Sequence, residues 1–186
     1  MQAMQRASAS SNTEEARDAL IRRFELQPHP EGGYYRETYR AQQRVSRESS
    51  ASSGARDYAA STAIYYLLCD GAHSAWHRIR SDEIWHFYAG AALNVYVLNE
   101  DGSVTTHRLG DALVDHDAAF QAVVEAGAWF AAECADPATY ALVGCTVAPG
   151  FEFSEFELAD VDALLARYPA HRELIARLGP IKPSGS

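Results

Sequence analysis

A run of short period-two segments between Thr62 and Val147, separated by turn residues and free of helical repeats, constrains this chain more than any other feature. The segments are residues 62–68, 75–79, 83–88, 93–98, 103–109, 121–124, 129–133 and 140–147. Asn99-Glu-Asp-Gly102 reads as a hairpin turn between two of them. One more segment precedes the run, from Gly33, where Tyr35, Glu37 and Tyr39 alternate with Tyr34, Arg36, Thr38 and Arg40. About nine strands with no helices between them specify a mainly β domain, an antiparallel sandwich or barrel.

Helical spacing is confined to the ends. Asn12 and Glu15 form a capping pair for a helix reaching about Leu26, with Ala16, Leu20 and Phe24 on one face, and Pro28 and Pro30 end it. Asp160 is placed to cap a helix through Arg167, and Pro169 suits the first turn of another reaching Leu178. These C-terminal helices are expected to cover the outside of the barrel or to meet a partner subunit. Residues 1–11 and 180–186 are small and polar, so disordered tails are expected around a single domain at 12–179. The Ser-rich, charged stretch Gln42–Arg56 has no apolar rhythm and reads as a long loop over a binding site.

With 186 residues, 47% of them apolar, the chain is long enough for one sizeable core. Its formal charge of -9, from 16 basic and 25 acidic residues, speaks against nucleic acid as a partner. No window approaches the roughly 20 apolar residues of a membrane span, and the N-terminus lacks an apolar signal core, so a cytoplasmic protein without membrane contact is expected. Cys69, Cys134 and Cys145 sit in apolar strands without paired spacing and are expected as buried, reduced thiols.

Residues two apart on a strand share a face, so His77 and Ile79 look the same way, as do Glu83, Trp85 and Phe87 after the turn at Ser81-Asp82. His77 and Glu83 are therefore expected to meet inside the barrel. Ile84, His86 and Tyr88 face outward, with His86 as a hydrogen-bonded structural histidine. A carboxyl group among Trp85, Phe87, Phe130 and Ile79 loses hydration, which raises its pKa and suits it to proton transfer near neutral pH. The neighbouring imidazole can share that role, one nitrogen held by Glu83 and the other free for a ligand. Tyr35, Glu37, Trp85 and Phe130 are the candidate substrate-binding residues of a small-molecule pocket with apolar walls and a few polar anchors. Arg36 or Arg40 is available to an anionic ligand group. A transition metal needs at least three protein ligands, and two are visible, so metal binding would require a third such as His73 or Glu37.

Leu26-Gln-Pro-His-Pro-Glu-Gly-Gly-Tyr-Tyr-Arg-Glu-Thr-Tyr39, Ser81-Asp-Glu-Ile-Trp-His-Phe-Tyr-Ala-Gly90 and Val143-Gly-Cys-Thr-Val-Ala-Pro-Gly-Phe151 resemble the blocks of a cupin family of undetermined function. Cupin metal sites use His, any residue, His, three or four residues, then Glu, with Gly six residues further on, and a last His in a second motif. Here His77, Glu83 and Gly90 match, but Ile79 and Phe130 stand where two of the imidazoles would be. The resemblance implies a cupin jelly-roll barrel (a double-stranded β-helix) with short N- and C-terminal helices, a homodimer, and similarity in shape to the metal-free dTDP-sugar epimerases, which use a barrel histidine as base. His77 suggests itself for that role. The expectation is a metal-independent isomerase or epimerase acting on a small polar, sugar-like metabolite, with His77 and Glu83 catalytic and no cofactor. A non-catalytic small-ligand binding or sensing protein is one alternative. A cupin enzyme using a divalent metal through an incomplete ligand set is the other.

Overall fold

Thirteen strands and three α-helices appear in the computed structural model, which describes residues 2–48 and 55–180. Helix α1 (Gln2–Phe24) leads into β1 (Gln27–Pro28) and β2 (Tyr34–Arg40). It is longer than expected. Asn12 lies within it rather than capping it, and residues 2–11, expected as a tail, continue it in a stretch with no Gly or Pro and with three Ala, which favour helix. The Gln42–Arg56 segment is not a loop where it is described. It forms β3 (Arg44–Glu48) and β4 (Ala55–Ala59), paired antiparallel, while residues 49–54 lie outside the described residues, as do 181–186 of the expected C-terminal tail. This ribbon is held by polar contacts, Ser46 Oγ donating to Asp57 at 2.6 Å and Arg47 stacked 4.7 Å from the Tyr58 ring centre, so apolar rhythm could not signal it.

The following strands are those the period-two segments predict: β5 (Thr62–Cys69), β6 (His73–Arg78), β7 (Asp82–Gly90), β8 (Leu93–Leu98), β9 (Val104–Leu109), β10 (Gln121–Val124), β11 (Trp129–Cys134) and β12 (Tyr140–Ala148). A short β13 (Glu157–Leu158) precedes α2 (Val161–Arg167) and α3 (Arg172–Arg177). The strands form a six-stranded sheet, β1-β2-β5-β12-β7-β10, facing a five-stranded sheet, β13-β6-β11-β8-β9, with every pairing antiparallel. Tyr66 and Leu68 of β5, Trp85 of β7, Val95 of β8, Phe130 of β11 and Val143 of β12 meet between the sheets as the main core. All three cysteines are free and buried, as expected.

Both ends of the chain cover the outer faces of this sandwich. Leu20, Ile21 and Phe24 of α1 pack with Leu26 on Leu67 and Leu142 of the larger sheet. Leu164, Ile175 and Leu178 from the C-terminal helices pack on Trp76, Leu98 and Ala131 of the smaller one. Asp160 caps α2 as expected, its carboxylate accepting from the Asp162 and Ala163 amides at 3.0 and 3.3 Å. Asp160→Ala should cost about 1 kcal/mol, read as a lower urea midpoint at an unchanged denaturant slope. Among the described residues no helix is long and apolar enough to cross a membrane.

Candidate active site

One end of the sandwich opens into a cavity of about 140 Å³, lined by polar side chains on strands and a loop and by three phenylalanines. Its volume is small beside the few hundred Å³ of a typical drug-sized pocket, which limits the enclosed part of any ligand to a small group. His77 from β6 and Glu83 from β7 both line it, as do Tyr35 and Glu37 from β2. The strand reading thus brings four of its six candidate residues to one cavity. Trp85 and Phe130 are not on its wall. Trp85 is 1% exposed and packs edge-on against Tyr66 at 5.9 Å, while Phe130, fully buried, lies behind the His77 ring at 4.0 Å. Both face inward, but at the depth of the core.

The carboxylate that holds His77 is Glu31, not Glu83. His77 Nδ1 lies 2.7 Å from the Ala75 carbonyl oxygen and 3.1 Å from Glu31 Oε2. A carbonyl can only accept, so in the neutral ring the proton sits on Nδ1 and the Nε2 lone pair is left free. Burial pushes the His77 pKa down to about 4, partly opposed by the Ala75 carbonyl, so the imidazole is neutral at pH 7. Glu83 goes the other way. Burial, with the Glu31 charge adding to it, lifts Glu83 to about 8, opposed by the Cys145 thiol, so it carries a proton at pH 7. Glu31 is also raised, chiefly by burial, with His29 opposing.

Two of these residues, His29 and Glu31, come from the loop between β1 and β2. That loop has no periodicity, which is why strand patterning could not find them. Its signal is the glycine pair that follows. Gly32 and Gly33 adopt φ of +117° and +69°, and a Cβ on Gly32 would lie 2.1 Å from the His73 carbonyl oxygen. Tyr66 donates to the Gly32 carbonyl at 2.8 Å, and the Ala75 amide donates to the Glu31 carbonyl at 3.1 Å. The loop is thereby clamped onto β5 and β6 with Glu31 turned into the barrel. His29 Nδ1 accepts from the Glu31 amide at 3.3 Å, and burial lowers its pKa, so it is neutral as well.

Arg40 reaches the cavity through a β-bulge. The register between β2 and β5 slips between Glu37 and Tyr39, so strict alternation fails and Arg40 joins Tyr35 and Glu37 while Tyr39 is 56% exposed. Arg40 is bound to Glu37 and Glu152, both at 2.9 Å. Arg36 instead pairs with Glu25 at 2.7 Å, away from the cavity. Phe151, Phe153 and Phe156 form the outer lip, with Phe151 and Phe153 at 4.9 Å and nearly perpendicular. The lip is tied to the β3–β4 ribbon through Glu155, which accepts from Tyr58 Oη at 2.5 Å and pairs with Arg47.

The remaining polar candidates are engaged elsewhere. His73 Nε2 lies 3.0 Å from the Gly179 carbonyl oxygen, and His86 is hydrogen-bonded to Thr146 and Gln121 on the outer face, the structural part expected of it. A cupin metal centre does not fit these side chains. Ile79 and Phe130 occupy two ligand positions, His77 Nδ1 is committed to Ala75, and no group of three or more His, Cys, Asp or Glu among the described residues is arranged to hold an ion.

Known proteins agree with the sheet architecture. Residues 18–159 match the family described as Cupin superfamily (DUF985). A solved protein from Shewanella oneidensis is 36% identical over 89% of this chain and 98% of its own, with a TM-score of 0.76. A hypothetical protein from Leishmania major is 31% identical over 88% of this chain and 98% of its own, with a TM-score of 0.75. Oxalate decarboxylase from Bacillus subtilis is 14% identical over 86% of this chain and 40% of its own, with a TM-score of 0.50, a likeness of fold alone. No curated protein matches the sequence.

Proposed function

The chain belongs to the DUF985 family of the cupin superfamily, and we propose that it is a metal-independent acid–base catalyst, an isomerase or epimerase of a small polar metabolite bound in the barrel mouth. One observation carries this reading: a neutral imidazole backed by a buried carboxylate and a second carboxyl that holds its proton at neutral pH line the same small cavity. In this reading His77 Nε2 accepts a proton from a C–H made acidic by an adjacent carbonyl. Glu31, 3.1 Å from Nδ1, stabilises the imidazolium that forms. Glu83 donates its proton to the developing enolate oxygen; the imidazolium then returns a proton to carbon, and Glu83 takes the hydroxyl proton back as the carbonyl re-forms. Tyr35 and the phenylalanine lip supply apolar contact for the carbon face of the ligand and keep water from the exchanging proton.

Glu31, 3.1 Å from Nδ1, is placed to offset part of the cost of protonating the buried ring, each pKa step being worth about 1.4 kcal/mol. Catalysis needs no metal in this scheme. A homodimer remains part of the proposal, supported by half-exposed Tyr88, Phe120 and Val123 at the outer face and edge of the larger sheet, and light scattering at micromolar concentration tests it.

The test is solvent exchange. The protein is incubated in D2O with a panel of small hydroxy-ketones, aldoses and amino-sugars, and deuterium entering carbon is followed by NMR. Exchange should occur with at least one compound and fall by about 100-fold or more in His77→Gln and in Glu83→Gln, with circular dichroism unchanged. Binding without exchange would instead make this a ligand-binding or sensing protein. Retained exchange in Glu83→Gln would remove that residue from the chemistry.

A further inference from the structure

We infer that residues 150–156 form a flap over the cavity, and that Glu155, gripped by the β3–β4 ribbon, is the latch that governs access to His77. The inference rests on the site proposed above and concerns how that site is entered. His77 and Glu83 line the cavity yet are only 3% and 7% exposed. The His77 ring lies between two phenylalanines, Phe130 of β11 at 4.0 Å and Phe156 of the lip at 5.2 Å. Phe130 is part of the core, so Phe156 is the cover that is free to leave. Phe156 packs on Phe151 and Phe153, which pack on each other, so the three rings move as one body. With that body in place the cavity holds about 140 Å³, room for a small group but not for a metabolite seated against Nε2.

The segment is fixed at its ends and held by side chains between them. Gly150 donates its amide to the Ala59 carbonyl at 2.8 Å, and β13 is paired with β6 just beyond Phe156. Among the described residues, the backbone bonds of residues 152–156 are local, the Glu155 amide to the Glu152 carbonyl at 2.9 Å and the Phe156 amide to the Phe153 carbonyl at 3.3 Å. Two arginines tie this stretch down. Arg40 pairs with Glu152 at 2.9 Å and donates to the Phe151 carbonyl at 3.1 Å. Arg47 pairs with Glu155, which also accepts from Tyr58 Oη at 2.5 Å, and Arg47 is itself anchored to the Arg80 carbonyl at 2.5 Å and Ser81 Oγ at 3.2 Å. Partly exposed ion pairs of this kind exchange for water at little cost, whereas the walls on β2, β6, β7 and β12 move only by breaking a sheet. The ribbon belongs to neither barrel sheet, and a two-stranded ribbon is marginal by itself. Flap and ribbon therefore order each other through Glu155, and loosening that contact frees the cover over His77.

Diethyl pyrocarbonate, which acylates an unprotonated imidazole nitrogen, tests the flap on the full chain at pH 7, with tandem mass spectrometry as the readout. His77 Nδ1 is committed to Ala75 and Nε2 keeps its lone pair, so the cover limits the reaction. In the wild type His77 should react roughly tenfold or more slowly than exposed His116. Glu155→Gln removes the charge and keeps the shape, and Tyr58→Phe removes one hydroxyl. Each should raise the His77 rate about fivefold or more and leave unchanged that of His86, which is bonded to Thr146 and Gln121 on the outer face. An unchanged His77 rate in both variants, or a wild-type His77 as reactive as His116, would overturn the inference. Acceleration of His77 and His86 together marks a poorly folded variant, and the wild type then decides: its His77 rate should rise with urea, below the unfolding transition, on a slope much smaller than that of global unfolding, and an equal slope removes the flap. No substrate enters this measurement, so the two proposals fail separately. A gated His77 without deuterium exchange removes the isomerase alone, whereas exchange with an ungated His77 removes the flap alone.

Discussion

Glu83→Gln should make the protein more stable at pH 8 than the wild type, by on the order of 3–5 kcal/mol, while leaving stability at pH 4 nearly unchanged. In the folded protein the Glu83 pKa is about 8. In the unfolded chain it returns to an ordinary value near 4.3. Between those two values the folded state holds a proton that the unfolded state has lost, so stability falls as pH rises through this window and levels off above the folded pKa. Gln has nearly the same shape and carries no proton to lose, so the variant lacks this decline. His77 acts in the opposite sense. Its pKa is lowered to about 4 in the fold against about 6.5 when unfolded, so its contribution is present above the unfolded value and is lost as pH falls through the folded one. The two effects oppose each other between about pH 4.5 and 6.5, so their sum is nearly flat in that window and falls above it as Glu83 loses its stabilising proton. Urea unfolding from pH 4 to pH 9 measures both limbs. Parallel curves for wild type and Glu83→Gln would show that Glu83 titrates normally in the fold, and its role as the protonated donor would go with it.

The pairing of opposed shifts is what makes this cavity a candidate for chemistry. A buried carboxyl that keeps its proton and a buried imidazole that refuses one are an acid and a base in their reactive forms at the same pH. The cost is borne by the fold, since removing either group's titration should stabilise the protein on one side of neutrality. Stability gained by a conservative change at a site that loses its activity is the pattern expected of a functional rather than a structural polar pair.

Strand periodicity made the two sheets, the outward His86 and the inward His77, Glu83, Tyr35 and Glu37 legible, because each residue's face follows from counting by two. Counting gives a face, not a depth. Trp85 and Phe130 point inward as expected but lie in the core with Tyr66, below the cavity. Counting also breaks at a bulge, and the slip between Glu37 and Tyr39 is what brings Arg40 inward. His29 and Glu31 were invisible to it because their placement comes from backbone φ and tertiary clamps, not from a repeat. The phenylalanine lip follows the last long strand, in a 3-10 turn at Phe153–Glu155, and its meaning depends on the β3–β4 ribbon that fixes Glu155. That Ile79 and Phe130 stand at two of the imidazole positions of a cupin metal motif, by contrast, was readable from the sequence alone.

Gly32→Ala should be among the most damaging single-methyl changes available in this chain, costing roughly 3 kcal/mol or more. Two penalties add. At φ +117° the residue occupies backbone space that side chains avoid, and its Cβ would sit 2.1 Å from the His73 carbonyl oxygen, a backbone atom of β6 that cannot swing aside. Relief requires the loop to lift from β6. That breaks the bond from the Ala75 amide to the Glu31 carbonyl and withdraws the Glu31 carboxylate from His77. Gly71→Ala is the control. Its φ of +70° is also positive, but nothing lies within 4 Å of the added methyl, so it should cost only about 1 kcal/mol. The difference between the two variants in urea unfolding therefore isolates the contact with β6 from the backbone preference of glycine. The same lifting should be visible at the site, as a shift of the His77 ring resonances in folded Gly32→Ala and none in Gly71→Ala. Equal costs for the two substitutions, with His77 undisturbed in both, would mean that the glycine pair does not hold Glu31 in the barrel, and the carboxylate behind the imidazole would need another explanation.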